Sequence, residues 1–256
     1  MTELFSVRGK VALVTGGSSG IGAMIARGLV EAGATVYITS RKHDDLESAC
    51  SELSRQGDCY AIQSDISSIE GIQSLTEAFL SAERRLDILI NNAGATWGAP
   101  LDDFPEAGWD KVMDLNVKSI FFLTQKLIPA LRTAGEPGRP ARVLNVSSNA
   151  GYLYSDMSNY SYAASKAAVI HLTRQLAAEL ASEHINVNCL APGLFPSRMT
   201  RHLDVSVSEL GSRIPVGRVG EQKDIVGAVT FLCSEASNYV CGHTLVVDGG
   251  MVAQSH

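Results

Sequence analysis

A short apolar segment followed at once by a glycine-rich turn constrains the fold of this 256-residue chain more than any other feature. Residues 11–15 are apolar up to a final threonine. The turn that follows contains Gly16, Gly20 and Gly22, and apolar residues then recur at helical spacing up to Gly33, a typical helix stop. In this order of strand, turn and helix, the amides at the helix start can bind a pyrophosphate. The spacing G-x-x-x-G-x-G differs from the common dinucleotide pattern, so an ordinary tight turn remains an alternative.

Strand patterns alternate with helical patterns along the rest of the chain. Six further strands are predicted at residues 35–39, 60–64, 87–90, 142–146, 185–190 and 243–247. Several of them are almost continuously apolar, as in strands that are buried on both faces. No linker or shift in composition divides the sequence. We therefore predict one α/β domain over residues 1–256, a Rossmann-type, doubly wound parallel sheet of about seven strands with helices on both faces.

Two longer segments complete the predicted architecture. Apolar residues at helical spacing over residues 109–131 predict one long helix with Asn116 in its middle. From residue 194 to about residue 220 the chain is irregular and contains several prolines and glycines. Because a long irregular segment in a compact domain is often a functional lid, we expect residues 194–220 to cover the substrate.

The end of the second predicted strand indicates which dinucleotide would bind. In such sites an acidic residue binds the ribose 2′-hydroxyl, whereas an arginine favours a 2′-phosphate. This chain has Ser40 and then Arg41 at that place. An acid would repel a phosphate, so its absence and the arginine together favour NADP(H) over NAD(H). Arg41 could also be an ordinary solvated cation.

Small and polar residues follow the other central strands. Residues 65–66 follow the third strand, residues 91–94 the fourth, Ser148 the fifth and residues 192–193 the sixth. In doubly wound sheets, ligands bind beyond the carboxyl ends of the strands. Because all of these residues follow the carboxyl ends of strands in the predicted sheet, they favour one binding site over a set of unrelated turns.

Tyr162 and Lys166 are the candidate acid/base pair. They stand four residues apart in a predicted helix, so their side chains lie on one face. A phenol has a pKa of about 10, too high for efficient proton transfer near neutral pH. An ammonium about 4 Å away would favour the phenolate by roughly 4 kcal/mol, or about three pKa units. A tyrosine and a lysine at this spacing, without other motifs beside them, are more often solvated on a helix surface.

Composition argues against several other classes of protein. The net charge is −6 and no run of like charges occurs, so a nucleic-acid partner is not expected. Five cysteines without a C-x-x-C pair and six scattered histidines predict neither a disulfide framework nor a metal site. No apolar run has the length of a signal peptide or a membrane helix. We expect a soluble cytoplasmic protein with reduced thiols.

Taken together, these motifs closely resemble those of the short-chain dehydrogenase/reductase family over essentially the full chain. The matching positions are residues 15–22, residues 91–94, Asn116, Ser148, Tyr162, Lys166, residues 192–193 and residues 248–250. The resemblance implies that Tyr162 is the acid/base and that Ser148 hydrogen-bonds the substrate oxygen. It also implies that Lys166 holds the nicotinamide ribose and lowers the tyrosine pKa, while Asn116 anchors a water in a proton relay.

The same resemblance implies how NADP(H) and a second copy of the chain would bind. Asp65 and Ile66 would flank the adenine, and Ser197 would hold the carboxamide. A homotetramer would use the helices of Asn116 and Tyr162 and the last strand. The implied cofactor-binding residues are Gly16, Ser18, Ser19, Gly20, Ile21, Gly22, Arg41, Asp65, Ile66, Asn92, Ala93, Gly94, Tyr162, Lys166, Pro192, Gly193, Phe195 and Ser197.

The substrate is less constrained than the reaction. Within the family the chain is most similar to NADPH-dependent β-ketoacyl (3-oxoacyl) reductases, in particular the branch associated with rhamnolipid precursors. Glu183 stands where carrier-protein reductases tend to have a basic docking residue, so CoA thioesters and free ketones also remain open. Alcohol, sugar, polyol or steroid dehydrogenases of the family are alternatives, as is a non-catalytic NADP(H) sensor. Four arginines could meet an acidic acyl carrier or a CoA phosphate, or could simply be solvated: Arg139, Arg142, Arg198 and Arg201.

Overall fold

The fold was analysed in a computed structural model that describes residues 3–154, 157–196 and 207–254. Its strands are β1 Val11–Thr15, β2 Thr35–Ser40, β3 Cys59–Gln63, β4 Ile88–Asn91, β5 Ala141–Val146, β6 Ile185–Pro192 and β7 Thr244–Val247. They form one parallel sheet in the order β3-β2-β1-β4-β5-β6-β7. The chain therefore winds outward in opposite directions from β1 and β4, which lie side by side. A crevice opens beyond the carboxyl ends of two such strands, and this is where doubly wound sheets bind ligands.

Helices cover both faces of the sheet. They are α1 Gly20–Glu31, α2 His43–Leu53, α3 Ile69–Ala82, α4 Glu106–Met113, α5 Ser119–Ala134, α6 Tyr160–Leu180, α7 Val207–Ser212, α8 Gln222–Cys233 and α9 Met251–Gln254. Side chains alternate across β1, so that Ala12 and Val14 join the core beneath α1, α2 and α8. Leu13 joins the other core, beneath α3, α5 and α6. Burial on both faces explains why the strands read as apolar runs.

The predicted α/β fold with seven parallel strands is confirmed, and some local details differ. The predicted helix over residues 109–131 is instead α4, a π-helical turn at Asp114–Lys118 and then α5. The short helix α7 lies within the predicted lid, and β6 runs two residues further, to Pro192. Among the described residues, no helix is long and apolar enough to cross a bilayer. That same part of the chain holds no cluster of side chains that could bind a metal ion.

Two of the arginines proposed to meet an acyl carrier, Arg139 and Arg142, lie among the described residues. Arg142 is only 4% exposed, and its guanidinium donates to the carbonyls of Ser234 and Ser237 and to the side chain of Asn238. The expectation that Arg142 docks a carrier is therefore wrong, because its hydrogen bonds hold a turn of the protein itself. Arg139 pairs with Glu235 at 3.5 Å before β5 begins, at the amino end of that strand. Arg198 and Arg201 lie outside the described residues.

Candidate active site

A cleft of about 370 Å³ opens at the carboxyl ends of β1, β2 and β4. It brings together fourteen residues predicted to bind a cofactor: Gly16, Ser18, Ser19, Gly20, Ile21, Gly22, Arg41, Asp65, Ile66, Asn92, Ala93, Gly94, Tyr162 and Lys166. Sequence reasoning missed seven others that also line it: Thr39, Ser40, Lys42, Ser64, Leu115, Val146 and Ser147. Most of these neighbour a predicted residue, so the strand ends already indicated the region although not the side chains.

The glycine turn packs closely against the start of α1 and leaves no room for a side chain at Gly22. A Cβ atom on Gly22 would lie less than 3.0 Å from the carbonyl oxygen of Gly16 and from Nδ2 of Asn92. Gly16 and Gly20 have φ angles of 67° and 56°, which glycine adopts without strain. Ser19 holds the N-cap position of α1, and within the described structure its side chain makes no capping hydrogen bond. Free amides at a helix start, reached through glycines, fit a dinucleotide pyrophosphate.

Hydrogen bonds brace this turn against the segment that follows β4. The hydroxyl of Thr15 accepts from the backbone amides of Asn92 and Ala93 at 2.9 and 3.0 Å. The side-chain amide of Asn92 donates to the carbonyl of Thr15 at 2.9 Å. Two walls of the cleft, from strands paired in the sheet, are thus held in one rigid arrangement.

The far end of the cleft is cationic. Arg41 lies beside Lys42 after β2, and its backbone carbonyl accepts from the side chain of Gln63 at 3.0 Å. Its guanidinium lies 3.7 Å from a carboxylate oxygen of Asp65, and both side chains are about half exposed. The end of β2 carries no acidic residue, but Asp65, which follows β3, lies next to Arg41. A 2′-phosphate at Arg41 would therefore compete with Asp65 for the guanidinium.

Ser148, Tyr162 and Lys166 converge where β5 ends and α6 begins. The side chains of Ser148 and Tyr162 hydrogen-bond each other. The buried ammonium of Lys166 donates to the carbonyl of Val146 at 2.9 Å and lies 5.6 Å from the centre of the Tyr162 ring. Ser147 fixes the helix from below, because its hydroxyl donates to the backbone carbonyl of Lys166 at 2.7 Å. The predicted helix and the shared face of the tyrosine and lysine are confirmed.

Burial, rather than the lysine, dominates the titration of Tyr162. Desolvation raises the pKa of Tyr162 above its usual value, and the hydrogen bond with Ser148 opposes this only in part. Lys166 is not among the causes of this shift, and its ammonium lies over the Tyr162 ring, so a lowering of the pKa by Lys166 stays a prediction. Burial also lowers the pKa of Lys166 itself to about 8.

The lowered pKa of Lys166 predicts a pH-dependent contribution to stability. Between about pH 8 and 10.5 the unfolded chain binds more protons at this lysine than the folded chain does, so the free energy of unfolding rises with pH. The rise from pH 7 to pH 10 is about 2 kcal/mol. We expect urea unfolding of the wild type to gain this amount relative to Lys166→Met. A difference between the two proteins that stays constant over that range would contradict the burial of the charge.

Asn116 connects the cofactor side of the cleft to α6. It lies in the π-helical turn and is fully buried. Its side-chain oxygen accepts from the amide of Ala95 at 2.8 Å, and its nitrogen donates to the carbonyl of Ala95 and to the hydroxyl of Ser165. That hydroxyl donates to the backbone carbonyl of Tyr162 at 2.7 Å. A π-helical turn often occurs at a functional position, and here it aims a buried amide between two walls of the site.

Three of the remaining predicted residues, Pro192, Gly193 and Phe195, are described and do not line this cleft. Pro192 ends β6, and the amide of Gly193 donates to Val247 at 2.9 Å. The buried Phe195 packs on Gly220 and lines a second cavity, of about 490 Å³, between the predicted lid and the C-terminal residues. Contact of these three residues with a cofactor stays a prediction. Ser197 lies outside the described residues.

Comparison with known proteins places the chain among its relatives. A family model described as enoyl-(acyl carrier protein) reductase matches residues 16–252. The 3-oxoacyl-(acyl-carrier-protein) reductase of rhamnolipid biosynthesis from Pseudomonas aeruginosa is 47% identical over 253 residues, 98% of this chain and 99% of that protein. A 2-dehydro-3-deoxy-D-gluconate 5-dehydrogenase from Dickeya dadantii is 37% identical over 254 residues, 98% of each.

A solved structure gives the same result in three dimensions. The RhlG/NADP active-site complex of Pseudomonas aeruginosa superposes with a TM-score of 0.95 at 46% sequence identity, covering 98% of this chain and all of that one. The backbone of this chain therefore matches that of a solved relative. This backbone carries the glycine turn, the residues after β4, and Ser148, Tyr162 and Lys166. The chain belongs to the short-chain dehydrogenase/reductase family.

Proposed function

We propose that this protein uses NADPH to reduce the ketone of a 3-oxoacyl thioester to a secondary alcohol. The observation that carries the proposal is that Tyr162, with Ser148 beside it, and Lys166 line one end of a cleft whose other end holds Arg41. An acid, a hydrogen-bond donor and a cation at one end, with a cationic phosphate site at the other, suit hydride transfer from a bound dinucleotide. The 3-oxoacyl reductase relative supports the choice of substrate.

Bound NADPH would supply the hydride, and the residues of the chain would manage the charge and the proton. As negative charge grows on the substrate oxygen, the hydroxyls of Ser148 and Tyr162 stabilise it by hydrogen bonds. Tyr162 then gives its proton to that oxygen. The raised pKa keeps the phenol protonated at neutral pH but makes it a weaker acid, so the transfer depends on the negative charge that develops on the substrate oxygen. Lys166 would hold the nicotinamide ribose, and Asn116 would anchor a water that returns the proton.

The preference for NADP(H) rests on the cationic end of the cleft. Arg41 and Lys42 both line it, and Ser40, the last residue of β2, adds no charge that would repel a phosphate. The solved relative with NADP in its active site supports the same preference. A cytoplasmic location, where NADPH is available, and a homotetramer through α5, α6 and β7 are part of the proposal.

A second candidate is the dehydrogenation of a sugar acid. It is favoured by the 2-dehydro-3-deoxy-D-gluconate 5-dehydrogenase relative. It is also favoured by Glu183, which forms a two-point ion pair with Arg132 at 2.6 and 2.8 Å and so removes a cation that an acidic carrier could use. A non-catalytic NADP(H) sensor is not favoured, because the tyrosine and the lysine are both in place.

A substrate panel tests the proposal. NADPH oxidation would be followed with acetoacetyl-CoA, a 3-oxoacyl-carrier-protein thioester and a simple cyclic ketone, and NADP⁺ reduction would be followed with 2-dehydro-3-deoxy-D-gluconate. Each assay would be repeated with NADH or NAD⁺ in place of the phosphorylated cofactor. We expect a thioester to give the highest kcat/KM, and NADPH to be preferred over NADH. Equal, feeble rates on all four compounds would overturn the substrate assignment, and a higher rate on the sugar acid would favour the second candidate.

A further inference from the structure

Two cysteines that do not line the cleft lie in direct contact. Cys50 is on α2, and Cys59 is the first residue of β3. The sulfur of Cys50 lies 3.4 Å from the backbone carbonyl oxygen of Cys59, and the thiol of Cys50 is close enough to that of Cys59 to raise its pKa. Cys50 is partly exposed, whereas Cys59 is 6% exposed beneath it. One thiol can therefore be reached from solvent, and the other lies within reach of the first.

We propose that Cys50 and Cys59 form an oxidation site, at which hydrogen peroxide joins α2 to β3 by a disulfide. The proposal goes beyond the reductase activity and does not depend on it. The position of the pair in the fold gives the link a mechanical consequence. The helix α2 begins two residues after Arg41, and Gln63 at the end of β3 holds the Arg41 carbonyl. The disulfide would fasten the two elements on either side of that arginine.

The reaction balances with peroxide as the only co-reactant. The sulfur of Cys50 attacks one peroxide oxygen, the O–O bond breaks, and the products are a sulfenic acid and one water. The sulfur of Cys59 then attacks the sulfur of Cys50, the S–S bond forms and the S–O bond breaks. The departing hydroxide takes the thiol proton of Cys59 as a second water. Two thiols lose two electrons in all, and peroxide gains them.

The order of the two steps follows from exposure and charge. Burial, with the neighbouring Cys50 thiol, raises the pKa of Cys59 to about 12, so Cys59 is a poor first nucleophile. Once Cys50 is a sulfenic acid, its sulfur is electrophilic, and Cys59 is the neighbouring nucleophile that can attack it. Burial also raises the pKa of Cys189 to about 11 and that of Cys233 to about 12, and neither thiol is exposed. Cys241 is exposed and is the competitor that the experiment must remove.

Arg55 makes the link easy to detect. It is a trypsin site between the two cysteines, so peptides 43–55 and 56–84 separate unless a disulfide joins them. The folded full-length chain carrying Cys241→Ser would be treated with peroxide, alkylated and digested. We expect a joined peptide whose mass is about 2 Da below the sum of the two and which a reductant separates. We also expect the thermal midpoint to rise by about 5 °C, reversibly on reduction, because a short loop is closed.

Two further variants assign the roles of the cysteines. Cys59→Ser should stop at the sulfenic acid of Cys50, trapped by dimedone, and Cys50→Ser should give neither the adduct nor the link. Separate peptides with both thiols still alkylated would overturn the proposal. So would oxidation of Cys50 to the sulfonic acid without a link to Cys59, or a link from Cys50 to Cys189 or Cys233 formed equally often. Peroxide treatment in urea, where the contact is lost, supplies the unstructured reference.

Discussion

Tyr162→Phe should lower kcat at least about a hundredfold, which is the usual lower size of an acid/base contribution. The substitution removes the hydroxyl that hydrogen-bonds Ser148 and leaves the ring, with the Lys166 ammonium 5.6 Å from its centre, in place. The dissociation constant for NADPH should stay within about twofold of the wild-type value, since the phosphate end of the cleft is untouched. Steady-state kinetics on the preferred ketone and a fluorescence titration with NADPH measure the two quantities.

Tyr160→Phe is the matched control for this result. Tyr160 lies two residues earlier in α6, is 41% exposed and packs edge-on against Phe104. Loss of its hydroxyl should leave kcat within about twofold. Turnover of Tyr162→Phe close to that of Tyr160→Phe would remove Tyr162 from the mechanism. If the wild type reduced no ketone at all, the proposed function itself would fail, and the comparison would be moot.

Gly22→Ala should disrupt the cofactor end of the cleft. The added Cβ would lie less than 3.0 Å from the backbone carbonyl of Gly16, which cannot move without opening the turn. Overpacking of this kind costs roughly 1–3 kcal/mol. We expect NADPH to bind at least about tenfold more weakly, because the amides at the start of α1 are displaced from the pyrophosphate position. Isothermal titration with NADPH and urea unfolding measure the two effects.

Gly227→Ala is the matched control for Gly22→Ala, because it makes the same substitution in a helix that does not line the cleft. Gly227 also lies inside a helix, α8, and a Cβ there would meet no atom within 4 Å. Alanine favours a helix over glycine by about 1 kcal/mol, so this variant should be unchanged or slightly more stable and should bind NADPH normally. Equal NADPH affinity in the two variants would show that the glycine turn does not hold the pyrophosphate.

The sequence was sufficient to predict those elements of the fold that are determined by residues close together in the chain. Strand, glycine turn and helix over residues 11–22 follow from residue type and spacing alone, and the convergence of strand ends follows from the doubly wound topology. The shared face of Tyr162 and Lys166 follows from helical periodicity. The sequence pattern did not predict α2 as a helix. Only Leu46 and Leu53 of that helix are buried, so its apolar residues do not recur clearly at helical spacing.

The details that the sequence did not predict are set by partners distant along the chain. The π-helical turn around Asn116 is held by Ala95, 21 residues earlier, whereas periodicity over residues 109–131 indicates an ordinary helix. Arg142 is buried because its acceptors lie in a turn more than ninety residues later. The direction of the Tyr162 pKa depends on burial and on the place of the ammonium, which spacing along a helix does not determine.

The most direct test of the central claim is a crystal structure of the chain with NADP⁺ bound. The account predicts that the nicotinamide ribose hydroxyls lie within about 3 Å of the Lys166 ammonium. It also predicts that nicotinamide C4 faces the space beside the hydroxyls of Tyr162 and Ser148. A nicotinamide ring bound elsewhere, with Tyr162 and Lys166 turned away from it, would contradict the proposed carbonyl reduction.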